Sequence, residues 1–330
     1  MSTLATIKRA ALMVMSGQQF LMTETAPRNT RKVLWYYDWG TIGDSIMDLS
    51  QRFLIHADIE IDLCMPYGPI ELFTGDSRFR RVFKALSDAD DRYDLAIVQN
   101  ITTKTLGQKV RFFPRTRFCS IMGHRRNEDF SRMQLSYERL AQIFDVTNGT
   151  GPIEPSLEVV HDETADADGF QILVAVGGND RRRRIDDWSK LLRAVDAFWP
   201  KSYVKPRYVL LGNGEPAREA VRQIEAHLPA QRLVTVTDMP DLRAAAEVID
   251  RCSFFLGADG GLMHIAAALG KPGVAIFSEI RPEWRLHTRS KMRPIFTDGS
   301  INEIPDAKIA GEVVRYCEEQ ITQNQMEAQT

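Results

Sequence analysis

Asp259-Gly260-Gly261-Leu262-Met263-His264 is the segment with the clearest capacity for chemistry. It follows a short apolar run at 254–256 and opens a stretch rich in Ile, Ala and Leu that Gly270 and Pro272 close. The pattern predicts a strand, a glycine turn, a short buried helix and a second strand at 274–277. Gly270 supplies a left-handed cap, and Pro272 cannot continue a helix. The amino end of such a helix offers unpaired N–H groups and a partial positive charge, and paired glycines let a ligand reach the backbone. A diphosphate suits that end. Asp259 would repel phosphate, so it is expected to accept from a sugar or ribose hydroxyl or from the loop's own backbone. His264, one turn inside the helix, adds a donor. The plainer alternative is an ordinary strand–turn–helix with Asp259 as its cap.

Two more loops at predicted strand ends complement this one. Gly177-Gly178-Asn179 runs into four consecutive arginines at 181–184, and Gly43-Asp44 follows the apolar run at 33–37. Together they set a carboxylate against guanidinium groups and an anion-binding helix end.

These loops need a scaffold of parallel strands. Apolar runs at 33–37, 59–64, 95–98 and 117–121 alternate with predicted helices at 45–56, 70–73, 79–86 and 133–144. The alternation resumes with strands at 172–176, 208–211 and 233–236 and helices ending at 198, 227 and 250. Such alternation predicts two open α/β domains with a ligand cleft at the carboxyl ends of the strands. The expected partition is 1–150, a linker at 151–168 lacking apolar periodicity, and 169–330. A final helix at 309–319, expected to fray beyond 320, is a candidate to pack back on the first domain.

Composition fixes the broad class. The 330 residues are 44% hydrophobic and 26% charged with a formal net charge of −2, the profile of a water-soluble globular protein rather than a nucleic-acid binder. The four cysteines stand far apart without metal-ligand spacing and suit a reducing compartment. Residues 4–22 read as an amphipathic helix rather than a signal peptide, since Ser16-Gly17-Gln18-Gln19 breaks a short apolar run. The expected location is cytoplasmic, with that helix packed on the first domain. Contact with the inner face of a membrane is the alternative.

Taken together, the motifs resemble glycosyltransferase family 9, the ADP-heptose:lipopolysaccharide heptosyltransferases. The family's Asp-Ser/Thr-Gly-x-x-His, followed by Leu-Ala-x-Ala-x-Gly-x-Pro, is matched by 259–264 and 265–272. Its amino-terminal Gly-Asp is matched by Gly43-Asp44, and its strand, glycine and acidic helix by the stretch ending Gly212-Asn213-Gly214-Glu215. The resemblance implies the GT-B type of α/β fold, two Rossmann-like domains facing a central cleft, and inverting transfer without a metal ion or other cofactor. The co-substrate would be a nucleotide sugar, ADP-sugar favoured, and the acceptor an anionic glycan or glycolipid. Asp44 would then be the general base, with a helix cap as its plain alternative, and Asp38 and Asp48 weaker candidates. Gly178, Arg181, Arg182, Met239, Asp259, Gly260, Gly261, Leu262 and His264 would hold the donor, with Arg181 or Arg182 replacing the family's lysine at the diphosphate. Met239 would line the nucleobase pocket or simply belong to the core. Gly43, Lys104, Arg125 and Arg126 would meet the acceptor, unless the basic span containing the last three is only a solvated face.

The chain departs from the pattern on the donor side. Gly260 replaces a hydroxyl residue, Ala258 a polar one, and the Lys-x-Trp-Pro element is missing. The rival readings are a nucleotide-sugar epimerase on the same scaffold and a catalytically silent nucleotide-sugar-binding protein. A dinucleotide oxidoreductase is disfavoured, because Gly212-Asn213-Gly214 lacks a third glycine.

Overall fold

A computed structural model describes residues 3–90, 92–123, 129–146, 151–159, 169–178 and 180–327. The chain divides into two compact α/β units, 1–158 and 159–330, each built on a parallel sheet.

In the first unit, α1 (Thr3–Met15) precedes β1 (Lys32–Tyr36), α2 (Ile42–Leu49), β2 (Glu60–Cys64), β3 (Arg81–Phe83) and β4 (Leu95–Asn100). Then come α3 (Thr103–Phe112), β5 (Arg117–Gly123) and α4 (Arg132–Phe144). The strand order is β3-β2-β1-β4-β5, all parallel. Central strands covered on both faces must be apolar throughout, and Val33, Leu34, Trp35, Leu95, Ala96 and Ile97 are fully buried.

The expected helix at 79–86 is instead β3 and a 3₁₀ turn at Leu86–Asp88. Phe79, Phe83 and Leu86 are buried as their helical spacing suggested, but between them Arg80 clasps Asp62 and Arg81 reaches Asp90. Those pairs suit a short charged edge strand, which resists pairing with another chain. The helix expected at 45–56 stops at Leu49 and continues as a 3₁₀ turn over Ser50–Leu54.

Residues 4–22 do pack on the first unit. Leu12 and Met13 of α1 join its core, and Met22 bridges to Phe118 beside β5. Lys109 of α3 is buried; it donates to Gln18 and to the Pro114 carbonyl, and burial pulls its pKa down to about 8.

Residues 151–158 of the expected linker fall in this unit. The Ile153 N–H donates to Gln51, Arg52 donates to the Ser156 carbonyl, and Glu158 accepts from the Ser77 N–H.

The second unit holds β6 (Gln171–Ala175), α5 (Trp188–Phe198), β7 (Arg207–Gly212), α6 (Gly214–Glu225), β8 (Leu233–Thr237) and α7 (Leu242–Arg251). It continues with β9 (Phe254–Ala258), α8 (Gly261–Ala268), β10 (Gly273–Ser278), β11 (Met292–Thr297) and α9 (Asp306–Glu327). The order is β11-β10-β9-β6-β7-β8, again all parallel. Strand β11 was not expected, because Pro294 interrupts its run; as an edge strand it tolerates the missing N–H. Helix α9 stays helical to Glu327 rather than fraying at 320, and it packs on α5 and β10 of its own unit, where Ile309, Val313 and Cys317 are core residues. All four cysteines are buried free thiols.

Candidate functional site

In an open parallel sheet, ligands bind beyond the carboxyl ends of the strands at the point where strand order reverses. In the first unit that point lies between β1 and β4. The chain leaves β1 through Tyr37 and Asp38, turns at Trp39-Gly40 and enters α2 with Thr41 as its cap residue. Gly43 therefore lies in the first helical turn rather than in the loop.

Asp44 is the third residue of α2 and is largely buried, with its side chain 9% exposed. The Thr41 hydroxyl donates to its Oδ2 at 2.6 Å, and Arg132 Nε lies 3.4 Å from its Oδ1. The carboxylate is thus oriented from both sides at the amino end of a helix. Asp48, one turn on, is fully buried. It accepts from Tyr37 (2.9 Å), Gln99 (2.7 Å), Ser136 (2.9 Å) and Arg132 Nη2 (2.7 Å). Burial pushes the Asp48 carboxyl above its usual range against the pull of Arg132. Burial alone would lower the Arg132 pKa, but Asp48 and Asp44 outweigh it and hold the guanidinium above its ordinary value. Arg132 also stacks 4.9 Å from the Trp39 ring centroid, so it is fixed on three sides.

Sequence reading missed this network. Its available signal is the pair Asp44 and Asp48: like charges four apart share a helix face and repel unless a cation bridges them. An Arg132→Met substitution leaves Asp48 buried and uncompensated, so urea denaturation should show a loss of about 3–5 kcal/mol. A loss below ~1 kcal/mol would mean that Asp48 does not depend on Arg132 for compensation.

The remaining first-unit candidates lie nearby or outside the described residues. Lys104, exposed near the start of α3, donates to the Tyr67 hydroxyl at 2.8 Å. Asp38 is raised by burial against the Thr105 hydroxyl, which donates to it at 2.5 Å. Arg125 and Arg126 fall outside the described residues.

In the second unit the strand order reverses between β6 and β9, and their loops meet. Gly177 follows β6 with φ 87°, and a Cβ there would sit 2.9 Å from the Ala217 backbone nitrogen, so only glycine serves. Gly178 is exposed with φ 118°. Asp180 then caps a 3₁₀ turn, Arg181–Arg183, by accepting from the Arg182 N–H at 3.1 Å. That turn sorts the arginines. The Arg181 side chain is exposed with no partner among the described residues. Arg182, 63% exposed, is tied to Asp180 and to Glu279 beyond β10 (2.8 Å). Arg184 donates to the Gly178 carbonyl at 3.0 Å. Arg183 alone turns to the β9 loop, with Nη1 3.1 Å from Asp259 Oδ2.

Asp259 is buried at the end of β9, its N–H donating to the Ile276 carbonyl at 2.8 Å. The Arg183 contact is an ion pair without an aligned hydrogen bond, so Oδ2 keeps its acceptor capacity. Oδ1 lies 3.7 Å from His264 Nε2, and the His264 N–H donates to the Gly260 carbonyl as α8 begins. Gly260 is extended at φ 173°, a conformation open to any residue. A Cβ there would meet nothing closer than Ala258 O at 3.9 Å. Neither conformation nor internal packing explains the glycine. Open space adjoins Gly260 at the amino end of α8, where an anion is favoured. Met239 is half-buried in the loop after β8, beside Asp238, which has φ 56° and accepts from the Gly214 N–H at 2.8 Å.

The model of glycosyltransferase family 9 (heptosyltransferase) matches residues 200–295, which include the Asp259 loop, α8 and β10. By sequence and by fold, the chain is similar to glycosyltransferase family 9. A 70-residue segment is 31% identical to lipooligosaccharide heptosyltransferase 2 of Haemophilus influenzae, spanning 21% of this chain and 20% of that protein. A family 9 glycosyl transferase of Veillonella parvula superposes with a TM-score of 0.69 at 15% identity, covering 91% of this chain and 100% of that one. The ADP-heptose LPS heptosyltransferase II of E. coli gives 0.64 at 17% identity, over 88% and 99%. Heptosyltransferase WaaC of E. coli, solved with ADP, gives 0.60 at 13%, over 87% and 99%. At such identities the structural likenesses establish the fold of the two family 9-like units.

Proposed function

We propose that the chain is an inverting, metal-independent glycosyltransferase. It moves a sugar, heptose favoured, from an ADP-sugar to a hydroxyl of an anionic glycan or lipopolysaccharide-type acceptor. The observation that carries this reading is the Arg183–Asp259 pair beside the open Gly260 turn, a cationic and backbone-donor cradle built where a parallel sheet binds its ligand. The second unit would hold the donor. The N–H groups of Gly261 and Leu262 and the Arg183 guanidinium would take the diphosphate, and Asp259 a sugar or ribose hydroxyl.

In the reaction the acceptor oxygen attacks the anomeric carbon as the bond to the diphosphate oxygen breaks, and the acceptor's proton passes to Asp44. Thr41 and Arg132 orient that carboxylate so that one oxygen can face the incoming hydroxyl. Charge developing on the leaving diphosphate meets donors already in place, each worth ~3–4 kcal/mol in such settings.

A thermal-shift panel of ADP, UDP, GDP and CMP sugars with NAD tests the assignment. A ligand at a hundred times its dissociation constant adds ~2.7 kcal/mol. ADP or an ADP-sugar should therefore raise the melting temperature most. A response to another nucleotide's sugar alone would keep the transferase and change its donor, and a response to NAD alone would move the reading to the oxidoreductase. No response at all would sink the nucleotide-sugar assignment itself.

A further inference from the structure

Helix α1 carries two apolar stripes, and the fold uses one. Leu12 and Met13 pack on the first unit's core, and Arg9 donates to the Ile101 carbonyl at 3.4 Å. The other stripe, Leu4, Ile7, Val14 and Met15, follows the same helical spacing and is exposed, Met15 at 87%. Phe20, 83% exposed, and Met22 extend it past the helix end. These six make up half of the twelve exposed large hydrophobic side chains among the described residues. A helix that is apolar on both faces requires a second apolar neighbour.

Charge identifies the neighbour. Residues 1–23 contain no Asp or Glu, and neither do residues 95–127. The described parts of the two segments are packed together: α1 lies on α3, Gln18 donates to the Pro114 carbonyl, and the Phe118 N–H donates to the Leu21 carbonyl. That places exposed Arg115 and Arg117 beside the segment of Phe20 and Met22, with exposed Arg111 stacked on Phe112 at the end of α3. Exposed Lys8 sits on α1 itself. The first acid along the chain, Glu24, is already paired with Arg139 at 3.0 Å.

We infer that α1 and the adjoining arginines dock the chain on an anionic phospholipid surface, the apolar stripe entering the acyl boundary and the cations meeting headgroup phosphates. A second copy of the chain fits less well. A two-fold interface brings each patch against itself, and this one would oppose unpaired cations to the same cations. Nucleic acid would satisfy the arginines but leave the apolar stripe in water. The inference does not depend on the transferase reading, because it concerns a different face and needs no nucleotide.

The test is flotation of the full chain with phosphatidylcholine vesicles, with and without about a third phosphatidylglycerol. The chain should float with the anionic vesicles, and less as salt rises. Arg111→Gln/Arg115→Gln/Arg117→Gln should weaken partitioning on the order of a hundredfold, three cations near an anionic surface each contributing several-fold. Leu4→Gln/Ile7→Gln/Val14→Gln/Met15→Gln should abolish it with an unchanged far-ultraviolet circular dichroism spectrum. If the quadruple variant misfolds, the arginine variant and the salt series still decide. Failure to float with anionic vesicles would overturn the inference. So would a wild-type dimer by light scattering that the quadruple variant converts to monomer.

Discussion

Asp44→Asn should lower kcat for sugar transfer by ~10²–10⁴, the usual worth of a general base, and leave the affinity for ADP unchanged. The amide keeps the size of the side chain and can still take the Thr41 hydroxyl, but it cannot accept the acceptor's proton. Arg132 would lose its 3.4 Å partner and keep its fork on Asp48, so the melting temperature should hold. The rate separates a base from a helix-end role: Asn serves a helix end about as well as Asp, so a helix-end role would leave the rate of the folded enzyme alone. Turnover within threefold of wild type would remove Asp44 from the chemistry. Asp48→Asn is the contrasting variant. It alters the charge of a fully buried carboxylate held by four side chains, and its effect should be read in stability.

The second large effect concerns the arginine run. Arg183→Gln should raise the dissociation constant for ADP by roughly 10–100-fold, the effect of losing one charged donor to a phosphate. Arg182→Gln should change it less than threefold, because Arg182 is committed to Asp180 and Glu279. Isothermal titration with ADP compares the two directly. The reverse order, with Arg182 dominant, would show that the Arg183–Asp259 pair is structural only.

This ranking could not be read from four consecutive arginines. Their sequence gives a local density of charge, and the sorting depends on a 3₁₀ turn capped by Asp180 that points neighbouring side chains in different directions. The stretch from β9 to β10 was legible because its signals are local and agree: a glycine turn, a wholly apolar helix, and a Gly-Lys-Pro stop. The same holds for the two parallel sheets, whose buried strands are continuous apolar runs. Where the reading failed, the deciding contacts were distant in sequence. The spacing of Phe79, Phe83 and Leu86 is helical, yet Asp62 and Asp90 take the intervening arginines and leave a short edge strand. Helix α3 has little apolar periodicity. Its one clear sign is the Thr102 hydroxyl accepting from the Thr105 N–H at 3.0 Å, a cap that Thr-x-x-Thr could have announced. Arg132 lies 84 residues from Asp48, so the Asp44–Asp48 spacing could call for a cation without saying which one.

The attachment of residues 153–158 to the first unit bears on how the chain can be dissected. Ile153 is tied to Gln51, Ser156 to buried Arg52, and Glu158 to Ser77, while Leu157 is itself buried. The second unit expressed on its own should therefore begin beyond Glu158. One begun at the Gly-Pro dipeptide, residues 151–152, would carry a sticky foreign leader whose proper seat has been left behind.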